Sequence, residues 1–144
     1  MDPREKELAE LKTELERVKR SEAKYRAIFD SAPDGIAIHH PETGQFLEVN
    51  SKIIHMAKMP DITEHSVKNL SLPPPFDSAT GIERIHRAAQ GEAQTFEWRN
   101  YGADGREIWT EVNLQGLDLD GERRVLASVR DITLRKQQEL KLAK

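Results

Sequence analysis

The sequence contains no cysteine among its 144 residues. It therefore has no disulfide, no thiolate metal ligand and no thiol nucleophile, and cysteine usage gives no indication of redox compartment. No apolar run approaches the 18 residues of a membrane-spanning helix, and the charged N-terminus lacks the apolar segment of a signal peptide. We therefore expect a soluble, cytoplasmic chain without membrane contact.

The sequence also lacks the patterns that indicate catalysis, metal binding or nucleic-acid binding. Its net charge is −3 and no stripe of basic residues is present, which argues against a nucleic-acid partner. No glycine-rich phosphate loop, nucleophile elbow or paired-carboxylate motif occurs. His39 and His40 are adjacent on a predicted strand and point to opposite faces, while His55 and His65 have no ligand spacing around them. We predict no catalytic residues and no metal site.

Three runs with a period of two fill the second half of the chain. Residues 95–101, 108–114 and 125–129 each alternate between larger apolar and polar side chains, as in a half-buried antiparallel sheet. Glycine-containing turns at residues 103–105 and 118–121 join them. A three-stranded meander needs another element to cover one face, so the preceding residues must supply that cover.

Two further strands are predicted before the meander, at residues 35–40 and 45–50, with Leu47 and Val49 facing inward. A helix is predicted over residues 51–58, with Asn50 or Ser51 as its cap.

A second covering helix begins after the proline-rich residues 73–76. Its cap is Asp77 or Ser78, and it ends at Gly91. The element order predicts an α+β fold with the helices over one face of a single antiparallel sheet.

The N-terminal region is predicted to be a helix with a narrow apolar stripe. Residues 4–24 are mostly Glu, Lys, Arg, Leu and Ala, which favour helix. The apolar positions are spaced alternately by three and four residues, with the polar Glu22 interrupting them. The stripe fits a two-helix seam; the alternative is a solvated helix along the domain. The predicted seam residues are Leu8, Leu11, Leu15, Val18 and Tyr25, followed by Phe29.

Four stretches together resemble the PAS domain of the sensor-box type in microbial signalling proteins. They are residues 25–36, residues 46–50, residues 96–109 with Phe96, Trp98, Asp104-Gly105 and Trp109, and residues 129–133. Each stretch is weak alone, but all four occur in order and span nearly the whole domain.

The resemblance implies a five-stranded antiparallel sheet in the order 2-1-5-4-3, with residues 51–91 forming the helical wall of a ligand pocket. It also implies a regulatory, usually dimeric module whose parent is a histidine kinase of a two-component system or a nucleotide cyclase. We accordingly divide the chain into an N-terminal helix (residues 1–24), a PAS domain (residues 25–133) and the start of a connector helix (residues 134–144) to a covalently linked output domain that this chain does not contain. Asp131, Ile132 and Thr133 are the implied relay junction, with Thr133 as the helix N-cap.

The ligand is the least determined part of the prediction. One hypothesis is a small molecule in the cavity between sheet and helices; the other is a ligand-free dimerisation and relay module whose cavity is packed core. The resemblance leaves the cofactor unknown. An adduct-forming flavin requires a cysteine, and His86 lies late on its helix for a haem ligand. The predicted pocket residues are Ile36, Ile38, Leu47, Val49, Ile53, Met56, Leu70, Ile85, Trp98, Val112, Ala127 and Val129.

Homodimerisation is predicted through the N-terminal helix and the sheet. Trp109 is opposite in phase to Val112 and is expected to face away from the pocket, towards the N-terminal helix or a dimer partner.

Overall fold

The computed structural model describes residues 2–69 and 72–143, which form two compact units that divide between Ser31 and Ala32. The first unit is one helix, and the second contains a five-stranded sheet with its covering helices. Within the described residues, no helix is both long and apolar enough to cross a membrane.

The first unit is helix α1, Pro3–Ser31, which runs without interruption past residue 24. The sequence places Pro33 and Gly35 directly after its end, where both residues disfavour continued helix. The predicted end of the helix is confirmed. The boundary at residue 24 is not a break in the helix, because no helix-breaking residue occurs there.

The second unit contains an antiparallel sheet with strand order β2-β1-β5-β4-β3, which confirms the predicted fold class. Two strands precede the covering helices and three follow them. The strands are β1 (Gly35–His39), β2 (Phe46–Val49), β3 (Gln94–Tyr101), β4 (Glu107–Leu119) and β5 (Glu122–Asp131).

Helices α2 (Ser51–Ala57) and α3 (Ser78–Ala89) pack on one face of the sheet, together with two short 3-10 turns at Ile62–Glu64 and Val67–Asn69. Apolar residues from the helices and from β1, β4 and β5 form one continuous core between these layers. The predicted α+β layering follows from this burial, because each element has only one apolar face.

The β4–β5 connection is shorter than the predicted four-residue turn. Both strands continue to the ends of a two-residue loop, Asp120 and Gly121, which have φ angles of 51° and 78°. Positive φ at both central residues gives the strand twist that tight hairpins require, and Asp-Gly tolerates it.

The last helix, α4 (Thr133–Leu142), begins one residue earlier than a Thr133 cap would allow. Ile132 occupies the N-cap position, and Asp131 Oδ1 accepts a hydrogen bond of 2.9 Å from the Thr133 N–H. The predicted Thr133 cap is therefore wrong. The Thr133 hydroxyl instead accepts from the Trp109 N–H of β4 at 3.0 Å.

Candidate functional site

A cavity of about 180 Å³ lies between the sheet and the helices of the second unit. Side chains of α2, α3, the 3-10 turns and all five strands line it. Most of these side chains are aliphatic or aromatic, and no Asp, Glu, Lys or Arg is among the described lining residues. A cavity of about 150 Å³ with apolar walls is large enough to bind benzene. The space therefore suits an uncharged molecule of about one ring.

His39 is the buried titratable residue of the cavity wall, with 5% of its surface exposed. Its Nδ1 lies 3.0 Å from the Gly44 carbonyl oxygen, and its ring packs on Phe46 with 4.5 Å between centroids. Burial lowers the pKa of the His39 imidazole below its ordinary value, while the hydrogen bond to Gly44 opposes part of that shift. The ring is therefore neutral at neutral pH.

The depressed pKa makes stability depend on pH. Unfolded His39 takes up a proton below about pH 6.5, whereas the folded ring resists protonation. The free energy of unfolding should therefore fall as the pH decreases from about 6.5 to 5, by up to about 1.4 kcal/mol per pH unit from this group. Chemical denaturation across this range measures the slope. His39→Asn should flatten this slope, and an unchanged slope in that variant would contradict its assignment to His39.

Two further polar side chains of the wall accept from or donate to the backbone of β3. The Thr110 hydroxyl donates to the Trp98 carbonyl oxygen at 3.2 Å, and Asn100 Oδ1 accepts from the Tyr101 N–H at 2.8 Å. The first bond joins β4 to β3 and the second lies within β3, and neither introduces charge.

Asn50 fixes the position of α2 against the sheet. Its Oδ1 accepts hydrogen bonds from the Ile36 and Ile53 N–H groups at 3.0 and 3.2 Å, and its Nδ2 donates to the Asp34 carbonyl at 3.1 Å. The side chain thus caps α2, as predicted, and also binds both ends of the segment that enters β1. Ile53 and Met56 of α2 reach the cavity because of this anchor.

The structure brings together most of the residues predicted from the pattern of the later strands and the helices. The predicted pocket residues that line the cavity are Ile53, Met56, Ile85, Trp98, Val112, Ala127 and Val129.

The predicted inward face of β1 is wrong. Ala37 belongs to the core and His39 lines the cavity, so Ile36 and Ile38 point to the other side of the sheet. The prediction chose Ile36 and Ile38 for the cavity side because their side chains are larger than that of Ala37. Ile38 is nevertheless buried.

The error in β2 has a different cause. The β1–β2 pairing shifts register between Ile38 and His39, where Ala37 pairs with Val49 and His39 with Phe46. The extra residue places both Phe46 and Val49 on the helix side, and Leu47 does not line the cavity. Val49 packs on the core beside the cavity. Leu70 lies outside the described residues.

Several lining residues were not predicted from the sequence. Three of them could have been found from the alternation of β4. Ile108, Thr110 and Leu114 share a face of the predicted strand with Val112, and all four line the cavity. The missed residues also include His39, Phe46, Ala57, Ile62, Val67, Gly81, Phe96, Asn100 and Tyr101.

Three aromatic rings, those of Phe76, Trp98 and Trp109, lie in contact around the β3 edge of the sheet. Phe76 makes edge-to-face contacts with Trp98, which lines the cavity, and with Trp109, at centroid distances of 5.6 and 5.5 Å. The Lys136 ammonium of α4 lies 5.0 Å from the Trp109 ring, and the Arg99 guanidinium lies near both Phe76 and Trp109. The rings connect the cavity side of the sheet to α4.

Trp109 does not line the cavity, and Lys136, Arg99 and Phe76 lie around its ring. Its expected place in a dimer interface stays a prediction.

The junction residues attach α4 to β4, and a lysine of the helix reaches β3. The Ile132 N–H donates to the Trp109 carbonyl at 2.8 Å, and Thr133 Oγ1 bonds the same residue's backbone. Lys136 Nζ donates to Glu97 on β3 at 2.7 Å. The hydrogen bond and charge of Lys136 hold the pKa of the Glu97 carboxyl below its ordinary value, so this carboxyl remains ionised at neutral pH.

His86 lies outside the cavity wall. Its Nε2 is 3.0 Å from the Glu42 carbonyl oxygen, and its side chain is exposed. A haem in this cavity would therefore not find His86 in place as a ligand. Among the described residues, no group of three His, Cys, Asp or Glu side chains is arranged to hold a metal ion.

Within helix α1, the predicted seam residues share one exposed stripe. Leu8, Leu11, Leu15 and Val18 are 46–66% exposed, which is high for four large apolar side chains in register. Tyr25 continues the stripe and stacks on Phe29 at 5.5 Å.

A family model described as a PAS domain matches residues 33–134. Two solved structures are similar in sequence as well as fold. The PAS domain of an HTR-like protein from Haloarcula marismortui is 27% identical, with 84% of this chain and 99% of that chain covered and a TM-score of 0.69. A domain of a sensory box sensor histidine kinase/response regulator from Geobacter sulfurreducens is 26% identical, with 79% and 96% covered and a TM-score of 0.63.

A PAS domain from a two-component sensor histidine kinase shares the fold alone: it is 17% identical, with 79% of this chain and 98% of that chain covered and a TM-score of 0.64. No curated protein matches the chain.

Proposed function

Because the chain belongs to the PAS domain family, we propose that its cavity binds a small molecule and that binding changes the position of α4. The domain is a sensory, non-catalytic module. The proposed parent is a sensor histidine kinase, in line with the similar domain from Geobacter sulfurreducens. A covalently linked output domain would receive the signal through α4.

The cavity is the observation that carries this proposal. Its wall combines apolar side chains with a buried, neutral histidine, and ligand sites are typically apolar with a few placed polar groups. A relay module without a ligand would need no such space, because protein cores are packed with few voids larger than a water molecule.

The aromatic group at the β3 edge supplies a route from the cavity to α4. A ligand that displaces Trp98 also changes its edge contact with Phe76, which in turn contacts Trp109. Lys136 of α4 lies over that last ring. Packed rings have discrete arrangements, so a shift at one end biases the position of the helix at the other.

We also propose that α1 forms a parallel coiled coil with a second copy of the chain. If Leu8 and Leu15 occupy position a of the heptad, Leu11 and Val18 occupy position d. Position g then holds Glu7 and Glu14, and position e holds Lys12, Lys19 and Arg26. A parallel pair places each g residue opposite an e residue of opposite charge, whereas an antiparallel pair places like charges together.

Glu7 then faces Lys12 of the partner subunit, and Glu14 faces Lys19 of the partner subunit. The exposed apolar stripe becomes the buried seam. The resulting dimer would bring two copies of the domain together, in line with the dimeric module that the resemblance implies.

Native mass spectrometry of the chain isolated from its native host tests both parts of the proposal. We expect a dimer with one retained small molecule per subunit. Leu11→Asp with Leu15→Asp should give a monomer that still carries the extra mass, since buried like charges at seam positions weaken association by at least about 100-fold.

The matched control is Ala9→Asp with Thr13→Asp, which adds the same net charge of −2 at heptad positions away from the apolar stripe and should remain a dimer at the protein concentration used. A bare dimer would count against ligand binding and favour a relay module. A seam variant that stays dimeric would refute the coiled coil.

A further inference from the structure

One nitrogen of His39 has no partner within the described structure. The Gly44 carbonyl can only accept a hydrogen bond, so Nδ1, 3.0 Å away, carries the ring proton. In the neutral ring Nε2 is then an acceptor with a free lone pair, and no hydrogen bond among the described residues uses it. Among the described residues, the fully buried side-chain nitrogen that lacks a partner is Arg99 Nε and not His39 Nε2, so His39 Nε2 keeps some accessible surface. Because the His39 ring is otherwise buried and lines the cavity, this acceptor is available to a hydrogen-bond donor there.

The rest of the wall limits what can reach that atom. The Thr110 hydroxyl and the Asn100 amide oxygen already have backbone partners. No charged side chain among the described lining residues can compensate a charged ligand, and an unpaired ion in an apolar cavity is strongly disfavoured. The volume of about 180 Å³ restricts the ligand to about one ring.

We propose that the cavity selects a small, neutral ring molecule with one O–H or N–H donor, and that His39 Nε2 accepts that donor's hydrogen bond. This inference rests on the proposed ligand-binding function and specifies the chemical class of the ligand. Phenols are the simplest members of that class. The same geometry disfavours carboxylates and ammonium compounds, because their charge would be unpaired.

Phenol and toluene form a matched pair of probes, since they differ only by a hydroxyl in place of a methyl group. In a cavity without a free acceptor, toluene binds more tightly because the phenol hydroxyl loses its hydrogen bonds to water. With His39 as acceptor, we expect calorimetric titration of the 144-residue chain to show phenol binding about tenfold more tightly than toluene.

Two variants assign that preference to one atom. His39→Asn keeps an amide donor for the Gly44 carbonyl but has no group at the Nε2 position. Phenol should therefore lose its tenfold advantage in this variant. Toluene should bind the variant with the same dissociation constant as the wild type, to within about the precision of the titration. His86→Gln replaces a histidine outside the cavity wall and should preserve the preference. If His39→Asn fails to fold, the ring-nitrogen NMR signals of the wild-type chain decide: Nε2 should shift with phenol and not with toluene.

The possible outcomes separate this inference from the proposed function. Toluene binding as tightly as phenol, or a phenol preference that survives in His39→Asn, would refute the role of Nε2 and leave the cavity as a binding site. An Nε2 NMR signal that does not shift when phenol is added would also refute the role of Nε2. Failure of both probes to bind would refute both the ligand class and the cavity as a site for molecules of this size.

Discussion

Replacing Asn50 with alanine should lower the free energy of unfolding by about 3 kcal/mol. The residue is fully buried, and its side chain bonds the Ile36 N–H, the Ile53 N–H and the Asp34 carbonyl. Alanine removes all three bonds and the cap of α2, and it leaves buried backbone groups without partners. Thermal unfolding should show a midpoint lower by about 10 °C.

Asn50→Asp is the matched variant, because it keeps an acceptor for the two N–H groups but loses the donor to the Asp34 carbonyl. We expect an intermediate loss of stability. A change of less than about 1 kcal/mol in Asn50→Ala would show that the three contacts are replaced by water or by rearrangement, contrary to our interpretation of this residue as the anchor of α2.

Replacing Gly116 with alanine should destabilise the protein by about 3 kcal/mol, although alanine normally improves the interior of a strand. A Cβ at this position would lie 2.3 Å from the Ala88 carbonyl oxygen and 2.5 Å from an Arg123 side-chain nitrogen. The first neighbour is backbone of α3 and cannot rotate away. Arg123 Nε also donates to the Ala89 carbonyl at 2.7 Å, so the same methyl group disturbs the bond that holds the C-terminal end of α3.

Chemical denaturation of Gly116→Ala measures this loss, with Gln115→Ala as the control at the adjacent exposed position, where we expect a change within about 0.5 kcal/mol. Wild-type stability in Gly116→Ala would mean that α3 moves away from β4 without cost. The close approach of helix and strand would then have no role in fixing the cavity wall.

The strands and helices were predictable from the sequence because they have clear periods and clear ends, whereas the strand order was predicted from the resemblance to PAS domains. The alternation in β4 and β5, the glycine turns and Pro33 after α1 each act locally, so these elements required no knowledge of the tertiary structure. The one cap that was assigned wrongly, Thr133, depends on a distant partner: its hydroxyl bonds β4, and Asp131 bonds the first helical N–H instead.

The cavity was less predictable because a void depends on which side chains fail to fill it. Ala127 of β5 lines the cavity and pairs with Ala37 of β1, which belongs to the packed core. The larger Ile36 and Ile38 lie on the other face of the sheet and cannot fill the space. The register shift beside His39 likewise depends on pairing geometry that periodicity does not encode. In β1, the size of the isoleucine side chains favoured Ile36 and Ile38 as the residues that face the helices. The pairing of β1 with β5 instead places Ala37 and His39 on that face.

The bonds at the start of α4 also determine how that helix can move. Ile132 and Thr133 make three hydrogen bonds to the backbone of one residue, Trp109. A slide of α4 along β4 would break all three together, whereas a tilt or a rotation about this point keeps them. If binding moves α4 as proposed, this attachment favours a change in the angle of the helix over a slide along β4.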